Sequence, residues 1–321
     1  MSVGFQPHIE RGAGIALPRV SIGLPVYNGE RYVGEAVQSL LDQTFGDFEL
    51  VIVDNASTDG TGDVCRALAA KDRRVRYHRN ERNIGGAPNF ARAFELANAA
   101  PYFKWAAHDD RHLPEYLAEC VAVLDAHPEF ILCTSDTEII DGDGRVVTDP
   151  DQELLDSARG VDLVHVADDR PSARFRNLIL SEHQCLDTFA VTRRSELAAT
   201  AHSGPYVGSD RVAVAEIALR GKFGRVPRVL FQNRDFSGRS MRATKLRDRA
   251  GFFDPKREGA IVLPYWRYLL EYHRAILRQP LPTSERIACW KALGEWVAMN
   301  RWRMQNDVRY AVQALRAKAT A

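Results

Sequence analysis

The sequence predicts an α/β protein, with a mostly parallel central sheet flanked by helices and a C-terminal helical extension. Three observations lead there. Between Val20 and Tyr102, short β-rich runs alternate with helical stretches, the pattern of parallel strands joined by crossover helices. The run at 49–54, ELVIVD, is almost continuously apolar, as suits a strand buried on both faces. From Ala260 onward the strand signals give way to long helical segments, broken at Pro280 and Pro282.

In order, strands are expected at 20–26, 49–54, 74–78 and 102–105, with helices near 30–43, 59–71 and 86–99 between them. A helix at 113–126 carries Pro114 near its first turn, where proline is tolerated. A strand at 130–134 follows, then Asp141-Gly-Asp-Gly144. That tetrad could open a calcium loop, but no acidic residue stands at the twelfth position, so it reads as a hairpin turn. Residues 149–170 read as an acidic, mobile loop. A helix at 171–181, a strand at 186–192, a helix at 210–220 and a strand at 223–232 complete the α/β region. Ligands of such sheets sit at the C-terminal ends of the strands, where each polar cluster below falls.

Composition excludes several classes. The chain has 321 residues, 45% hydrophobic and 26% charged, with a formal net charge of +1, so no whole-molecule field points to nucleic acid as a partner. Cys65, Cys120, Cys133, Cys185 and Cys289 include no close pair, and read as reduced, buried thiols rather than a disulfide framework or zinc site. No apolar run approaches the ~20 residues that cross a bilayer. Residues 1–18 lack the apolar core of a signal peptide and are expected to be a flexible tail. The expected location is cytoplasmic.

Five clusters carry chemistry. Leu24-Pro-Val-Tyr-Asn28 ends the first strand, and Asp54-Asn-Ala-Ser-Thr-Asp-Gly-Thr61 ends the second. A carboxylate just past a buried strand can accept from a ring N–H or a ribose hydroxyl, and Asp54 is read as such a ligand group. Thr58 or Asp59 is read as a helix cap. Arg82-Asn-Ile-Gly-Gly-Ala87 opens a helix, where glycines allow close backbone approach and the helix start favours anions. Trp105-Ala-Ala-His-Asp-Asp110 places two carboxylates after an apolar strand. Such a pair repels unless a cation sits beside it, and a divalent ion bridging a diphosphate supplies one. Finally, Gly208-Ser-Asp210 opens an amphipathic helix. Ser209 can cap it, which leaves Asp210 to face a cleft.

Together these clusters resemble glycosyltransferase family 2, the inverting transferases with the GT-A fold. The resemblance runs in order from Val20 to about Arg242, through VSIGLPVYNGERYVGEAVQSLLDQTFGDFELVIVDNASTDGT, RNIGGAPNFARAFELA, KWAAHDD, GSDRVAVAEIALRGKF and VLFQNRDFSGRS. It implies a nucleotide-sugar-binding half at 19–110 and an acceptor-binding half at 111–245; residues 246–321, beyond the match, read by their own pattern as a C-terminal helical region. It implies that Pro25, Tyr27 and Asp54 line the nucleobase pocket, that Asn83 and Gly85 lie near ribose and phosphates, and that Asp109 and Asp110 stand at the metal motif. Asp110 is then the metal ligand and Asp109 a ribose or second metal ligand, the cation being Mg²⁺ or Mn²⁺. Asp210 matches the catalytic aspartate. Two positions depart from the family pattern: Ala107 or His108 replaces an acidic residue before the metal aspartate, and Phe236 stands where relatives carry histidine. Arg234, Arg239 or Arg242 then stabilises the diphosphate.

The implied reaction moves a sugar from a nucleotide-diphosphate donor to a saccharide or lipid-linked acceptor, in cell-surface polysaccharide or glycolipid assembly. Two other readings stand beside it. A sugar nucleotidylyltransferase needs a Gly-rich basic loop after the first strand, where this chain has Val26-Tyr-Asn-Gly-Glu-Arg31. A catalytically degenerate nucleotide-sugar-binding protein fits Ala107 and Phe236 but not Asp210. The C-terminal helices, rich in arginine and in Trp266, Trp290, Trp296 and Trp302, read first as a cap packed on the catalytic domain or on a second subunit, with the tryptophans in its core. The second reading lays them on the anionic inner face of a membrane.

Overall fold

The computed structural model describes residues 17–148, 166–181, 185–202, 204–236, 253 and 260–319. The expected tail up to residue 16, the stretch 149–165 of the expected acidic loop, and Arg239 and Arg242 lie outside the described residues.

Eight strands form one sheet in the order β3-β2-β1-β4-β7-β6-β8-β5. They are β1 (Val20–Val26), β2 (Phe48–Asp54), β3 (Val75–Arg79), β4 (Tyr102–Trp105), β5 (Arg111–His112), β6 (Phe130–Ile140), β7 (Val191–Arg193) and β8 (Lys222–Arg234). β1 to β4 pair in parallel, while β7 runs antiparallel between β4 and β6. One sheet therefore runs from residue 20 to residue 234, through both halves that the resemblance separates at 110/111. Helices α1 (Glu30–Leu41), α2 (Thr61–Lys71) and α3 (Gly86–Leu96) connect the parallel strands, and α4 (Tyr116–Ala126) leads to β6.

The continuous apolar runs of β1 and β2 follow from burial on both faces. On β2, Val51 and Val53 point into a core shared with Phe103, Trp105 and α3. Leu50 and Ile52, one residue out of phase, point into the opposite core with Val33 and Val37 of α1 and Leu117 of α4. Every residue of β1 and β2 is buried.

The second half departs from expectation in one place. Residues 186–192, read as a strand, split into a 3₁₀ turn (Leu186–Phe189) and the short β7. Cys185 precedes the turn in a left-handed conformation, φ 57°, which an extended strand does not admit. The 141–144 hairpin turn is present, with Gly144 N–H on the Asp141 carbonyl at 3.0 Å. Beyond it lie α5 (Pro171–Leu180), α6 (Arg194–Ala198), α7 (Ser209–Arg220), α8 (Pro264–Arg278) and α9 (Thr283–Ala319).

The C-terminal helices do form a cap: α9 packs on α5 and α8, and α8 on α7. Only Trp296 joins the core, among the rings of Tyr265, Tyr268 and Tyr272. Trp266, Trp290 and Trp302 are exposed, contrary to the expectation of a tryptophan-filled interior. Their indoles lie on the outward side of helices whose inward positions are already filled by Ala275, Ile276, Cys289, Ala292 and Leu293. Among the described residues no helix is long and apolar enough to cross a membrane.

One core residue is charged by type. Lys104 of β4 is wholly buried; its ammonium donates to the Phe189 carbonyl and lies 4.7 Å from the Tyr116 ring centroid and 5.6 Å from that of Phe231. Burial pushes it from 10.5 down to about 7, against the opposing pull of Cys120 and Asp110. Below that pH the ammonium is charged in both folded and unfolded chains, and the folded protein bears the full cost of burying it. Between about 7 and 10.5 the unfolded chain alone holds the proton, so stability rises with pH by up to about 1.4 kcal/mol per unit. Lys104→Met removes this slope. In urea unfolding from pH 7 to 9.5, stability of the variant relative to the parent is expected to be highest at pH 7 and to decline as pH rises; a constant difference contradicts this.

Candidate active site

The C-terminal ends of β1, β2, β3 and β4 form a rim, and the polar clusters of the sequence lie along it. The loop after β1 and the loop after β2 are stitched together. Asn28 N–H donates to Ser57 Oγ (2.9 Å), Thr58 N–H to Asn28 Oδ1 (2.8 Å), and Gly29 N–H to Thr61 Oγ1 (2.8 Å). Asn28 and Ala56 hold left-handed φ values of 51° and 63° in these two loops, a strain that the stitching maintains. Asp59 accepts from the backbone N–H groups of Thr61 and Glu30, but the N-cap position of α2 is Gly60 rather than the expected Thr58 or Asp59. Pro25 lies inside β1, buried beside Val53 of β2. Tyr27, just beyond, is exposed.

Asp54 ends β2 and is fully buried. Its Oδ1 accepts from Ser57 N–H at 2.8 Å, and its Oδ2 from the Tyr77 hydroxyl at 2.7 Å and Arg79 NH1 at 2.5 Å. Burial alone would raise this carboxyl. The hydrogen bonds from Ser57, Tyr77 and Arg79 outweigh it, and the group lies below the usual carboxylate range. Tyr77 is pushed up to about 12 by its own burial and by this bond to the carboxylate.

A ladder of side-chain amides, absent from the sequence reading, shapes the next stretch. Asn89 Nδ2 donates to the Val53 carbonyl (2.8 Å), and Asn80 Nδ2 to Asn89 Oδ1 (2.8 Å) and Asn55 Oδ1 (3.1 Å). Asn55 Nδ2 continues to Asn83 Oδ1 (2.9 Å) and the Gly85 carbonyl (3.2 Å). Asn83 and Gly85 are thereby held at the start of α3, where φ of 95° at Gly85 suits a residue without Cβ.

The two carboxylates after β4 differ. Asp110 is fully buried, and accepts from Arg234 N–H (2.8 Å) and from Asn233 Nδ2 (3.1 and 3.3 Å), both on β8. Asp109 is buried, and no hydrogen bond to its carboxylate occurs among the described residues. The structure corrects the reading of Arg234 as a diphosphate ligand. Its guanidinium is buried and engaged at all three nitrogens: Nε on the Asp109 carbonyl (2.7 Å), NH1 on the Asp141 carbonyl (3.2 Å) and NH2 on Glu35 Oε2 (2.5 Å). Arg234 is a brace behind the carboxylates. Arg239, the other site arginine, lies outside the described residues. His112, buried between Tyr116 and Phe231, belongs to the core.

Asp210 stands in the first turn of α7. The expected cap from Ser209 is not made. Gly208, with φ of 74°, occupies the cap position, and the Ser209 hydroxyl is buried with no hydrogen-bond partner among the described residues. A side chain at Gly208 would strike the Tyr268 hydroxyl of α8, so the left-handed glycine lets the two helices approach. The 3₁₀ turn contacts both β4 and α7, and His202 packs edge-on against Trp105 at the end of β4, 6.2 Å between ring centroids. These contacts set α7 near β4, whose C-terminal loop carries Asp109 and Asp110. A cavity of about 320 Å³ opens between residues 205–207 and the start of α8, lined by Tyr206, Val207, Trp266 and Arg267 among others.

The sheet order, the carboxylates on the rim of the parallel strands and the helical cap define a GT-A domain. The family model for glycosyl transferase family 2 matches residues 21–197, and the chain belongs to that family. An uncharacterized glycosyltransferase of Rickettsia felis is 35% identical over 112 residues, 35% of this chain and 18% of its own length. The putative glycosyltransferase EpsE of Bacillus subtilis is 32% identical over 114 residues, 35% of this chain and 41% of its own length. The chain thus spans less than half the length of these curated relatives. Among solved structures, S. aureus TarS 1-349 in complex with UDP is similar with a TM-score of 0.60 at 17% identity, over 88% of this chain and 71% of that one. Mannosyltransferase PcManGT from Pyrobaculum calidifontis, in complex with GDP-Man and Mn2+, gives 0.54 at 18% identity, over 95% and 76%. At such identities the likeness is one of fold.

The amide ladder makes a direct prediction. Asn55→Ala leaves Asn80, Asn83 and the Ile84 N–H short of partners, and is expected to destabilise the fold by about 1–3 kcal/mol while loosening the 80–86 loop. Urea unfolding and amide exchange at Ile84 and Gly85 measure both; an unchanged exchange rate there contradicts the ladder's role.

Proposed function

We propose that the chain is an inverting glycosyltransferase, moving a sugar from a nucleotide-diphosphate donor to an acceptor hydroxyl in the assembly of a cell-surface polysaccharide or glycolipid. One observation carries the reading: β4, whose C-terminal loop carries Asp109 and Asp110, and α7, whose first turn carries Asp210, both pack on the 3₁₀ turn between them. An acidic group for a diphosphate-bound cation and another to take a proton from an acceptor are what the reaction asks of the chain.

The donor lies along residues 19–110, its base near Pro25, Tyr27 and the Asp54 corner, its ribose and phosphates near Asn83 and Gly85 at the start of α3. A divalent cation, Mg²⁺ or Mn²⁺, fits the residues present. Such ions are commonly held by one or two carboxylates together with substrate phosphates rather than by an all-protein cage. Among the described residues no three His, Cys, Asp or Glu side chains cluster to hold a metal; the donor's phosphate oxygens would complete a ligand set of this kind. Asp109, whose carboxylate accepts no hydrogen bond from the described residues, suits the cation better than Asp110, which β8 already engages. When bound, the ion supplies charge neutralisation for the departing diphosphate. The structural neighbours named above hold UDP, or GDP-Man with Mn2+, ligands of this chemistry.

Residues 111–245 take the acceptor. Asp210 accepts the acceptor's hydroxyl proton while that oxygen forms its bond to the anomeric carbon; the bond from that carbon to the diphosphate oxygen breaks on the opposite face, inverting configuration. The cavity beside Tyr206 and Trp266 suits the apolar portion of an acceptor. The protein acts on the cytoplasmic side of the membrane where such acceptors are built, with α8 and α9 as the packed cap.

Wild-type protein given UDP-, TDP- and GDP-sugars with Mn²⁺ is expected to release nucleotide diphosphate, with an inverted sugar product by proton NMR. Asp210→Asn is expected to lose about 100-fold or more in kcat with nucleotide-diphosphate affinity unchanged. Full turnover in the variant excludes Asp210 as the base. Binding without turnover in the wild type would instead favour a degenerate sugar-nucleotide binder.

A further inference from the structure

The cap formed by α8 and α9 has an inner side, which packs on α5 and α7, and an outer side of different character. On α8, Trp266, Leu270, His273 and Leu277 recur at the three- and four-residue spacing of one helix face, and all are exposed. On α9, Ile287, Lys291, Trp302, Arg309 and Val312 share a face at multiples of that spacing, again all exposed. The Trp290 ring stacks on His273, with centroids 6.1 Å apart and planes 22° apart, so the two outer faces join. Trp266, Leu270, Leu277, Trp290 and Trp302 are 39–55% exposed, which leaves about half of each apolar side chain in water. Beside them stand the exposed cations Lys291, Arg301 and Arg309. The acidic residues of the two helices are each engaged within the chain. Glu271 meets Arg267 and Arg274, Glu285 accepts from Ser172 N–H, Glu295 pairs with Arg176, and Asp307 accepts from Tyr265 N–H.

We infer that the outer face of α8 and α9 docks on an anionic lipid bilayer, the two helices lying in the plane of the headgroups. Charge selects this occupant. Lys291, Arg301 and Arg309 need a countercharge that the face itself lacks, and anionic headgroups supply it. The exposed indoles suit the same place, since tryptophan settles at headgroup level with its apolar body toward the acyl chains. A second copy of the chain fits less well: a symmetric pairing through this face sets the same cations against one another, with no acid between them. Length and polarity fix the mode of contact. The 37 residues of α9 extend about 55 Å, and among the described residues no helix is apolar enough to cross a bilayer, so the pair lies on the membrane. Trp266 and Leu270 also line the cavity near Tyr206, and the lipid-facing surface therefore adjoins it. This contact does not depend on the nucleotide-diphosphate chemistry proposed above.

Flotation of the full chain with phosphatidylcholine vesicles, and with vesicles of phosphatidylcholine and phosphatidylglycerol in about equal parts, tests this. The protein is expected to float with the anionic vesicles but not the neutral ones, and to be released as salt is raised, because ions screen the attraction. Lys291→Ser, Arg301→Ser and Arg309→Ser combined are expected to weaken partition into anionic vesicles about 100-fold, about fivefold for each cation. Trp302→Ser is expected to weaken it while leaving the salt dependence in place. All four positions are exposed, so thermal melting is expected to be unchanged. Arg301→Lys with Arg309→Lys keeps the charge and is expected to keep the binding, which separates lost charge from a damaged fold. No flotation with anionic vesicles, or an unchanged partition in the triple variant, overturns the assignment. So does a dimer in sedimentation velocity that Trp302→Ser dissociates, in protein that ignores vesicles: the face then belongs to a second copy. Nucleotide-diphosphate binding, measured separately, bears on the transferase reading and leaves this one untouched.

Discussion

A carboxylate taken out of water must be given donors, and the rim of this sheet is organised around two that are. Asp54 ends β2 with no solvent access and collects Ser57, Tyr77 and Arg79. Asp110 follows β4, equally buried, and collects Asn233 and the Arg234 N–H from β8. Leaving either carboxylate unpaired would cost several kcal/mol, so the loop after β2 and the strands β3 and β8 present their donors where these carboxylates lie. The rim thus acquires a set shape, and Asp109 is left beside it with a carboxylate that no described residue engages.

The second half secures Asp210 by the same physics from the opposite side. Glu216, buried within α7, receives Arg278 through two bonds of 2.8 Å and Gln279 Nε2 at 2.8 Å. Arg174 of α5 reaches the Ala218 carbonyl of the same helix at 2.7 Å. The helix that starts with Asp210 is therefore clamped by α5 and α8 along its length. Its first turn is held as well, by Arg211 NH1 on the Ser181 carbonyl at 2.9 Å and by Tyr268 packed against Gly208. The C-terminal helices act here as scaffold, although the matched family region ends before them at residue 197.

Much of this was legible in the residue order. Strands buried on both faces leave uninterrupted apolar runs, and β1, β2 and β4 stand within a residue or so of where those runs lie. Carboxylates directly after such runs were visible for the same reason. Other features were not legible because their causes lie far away in sequence. Arg234 looks like a phosphate ligand until Glu35 and the Asp109 carbonyl, 199 and 125 residues away, are seen to engage it. The amide ladder is spread over Asn55, Asn80, Asn83 and Asn89, each of which alone resembles loop polarity. The segment at 186–192 carries strand-like residues, but the left-handed Cys185 turns it first into a 3₁₀ turn. Ser209 has the right chemistry for a cap, yet the tight approach of Tyr268 selects Gly208 for that place.

On the proposed reading a cation meets one carboxylate that no described residue engages and a second already held by β8, too few ligands among the described residues for a tight site. The cation and the diphosphate should therefore bind as a pair. Electron paramagnetic resonance of Mn²⁺ titrated into the protein, with and without UDP or GDP, measures this directly. The account predicts weak Mn²⁺ binding alone, a marked gain with nucleotide diphosphate beyond what the nucleotide shows in buffer, and loss of that gain in Asp109→Asn. Mn²⁺ bound equally well without nucleotide, or a gain that survives Asp109→Asn, would contradict it.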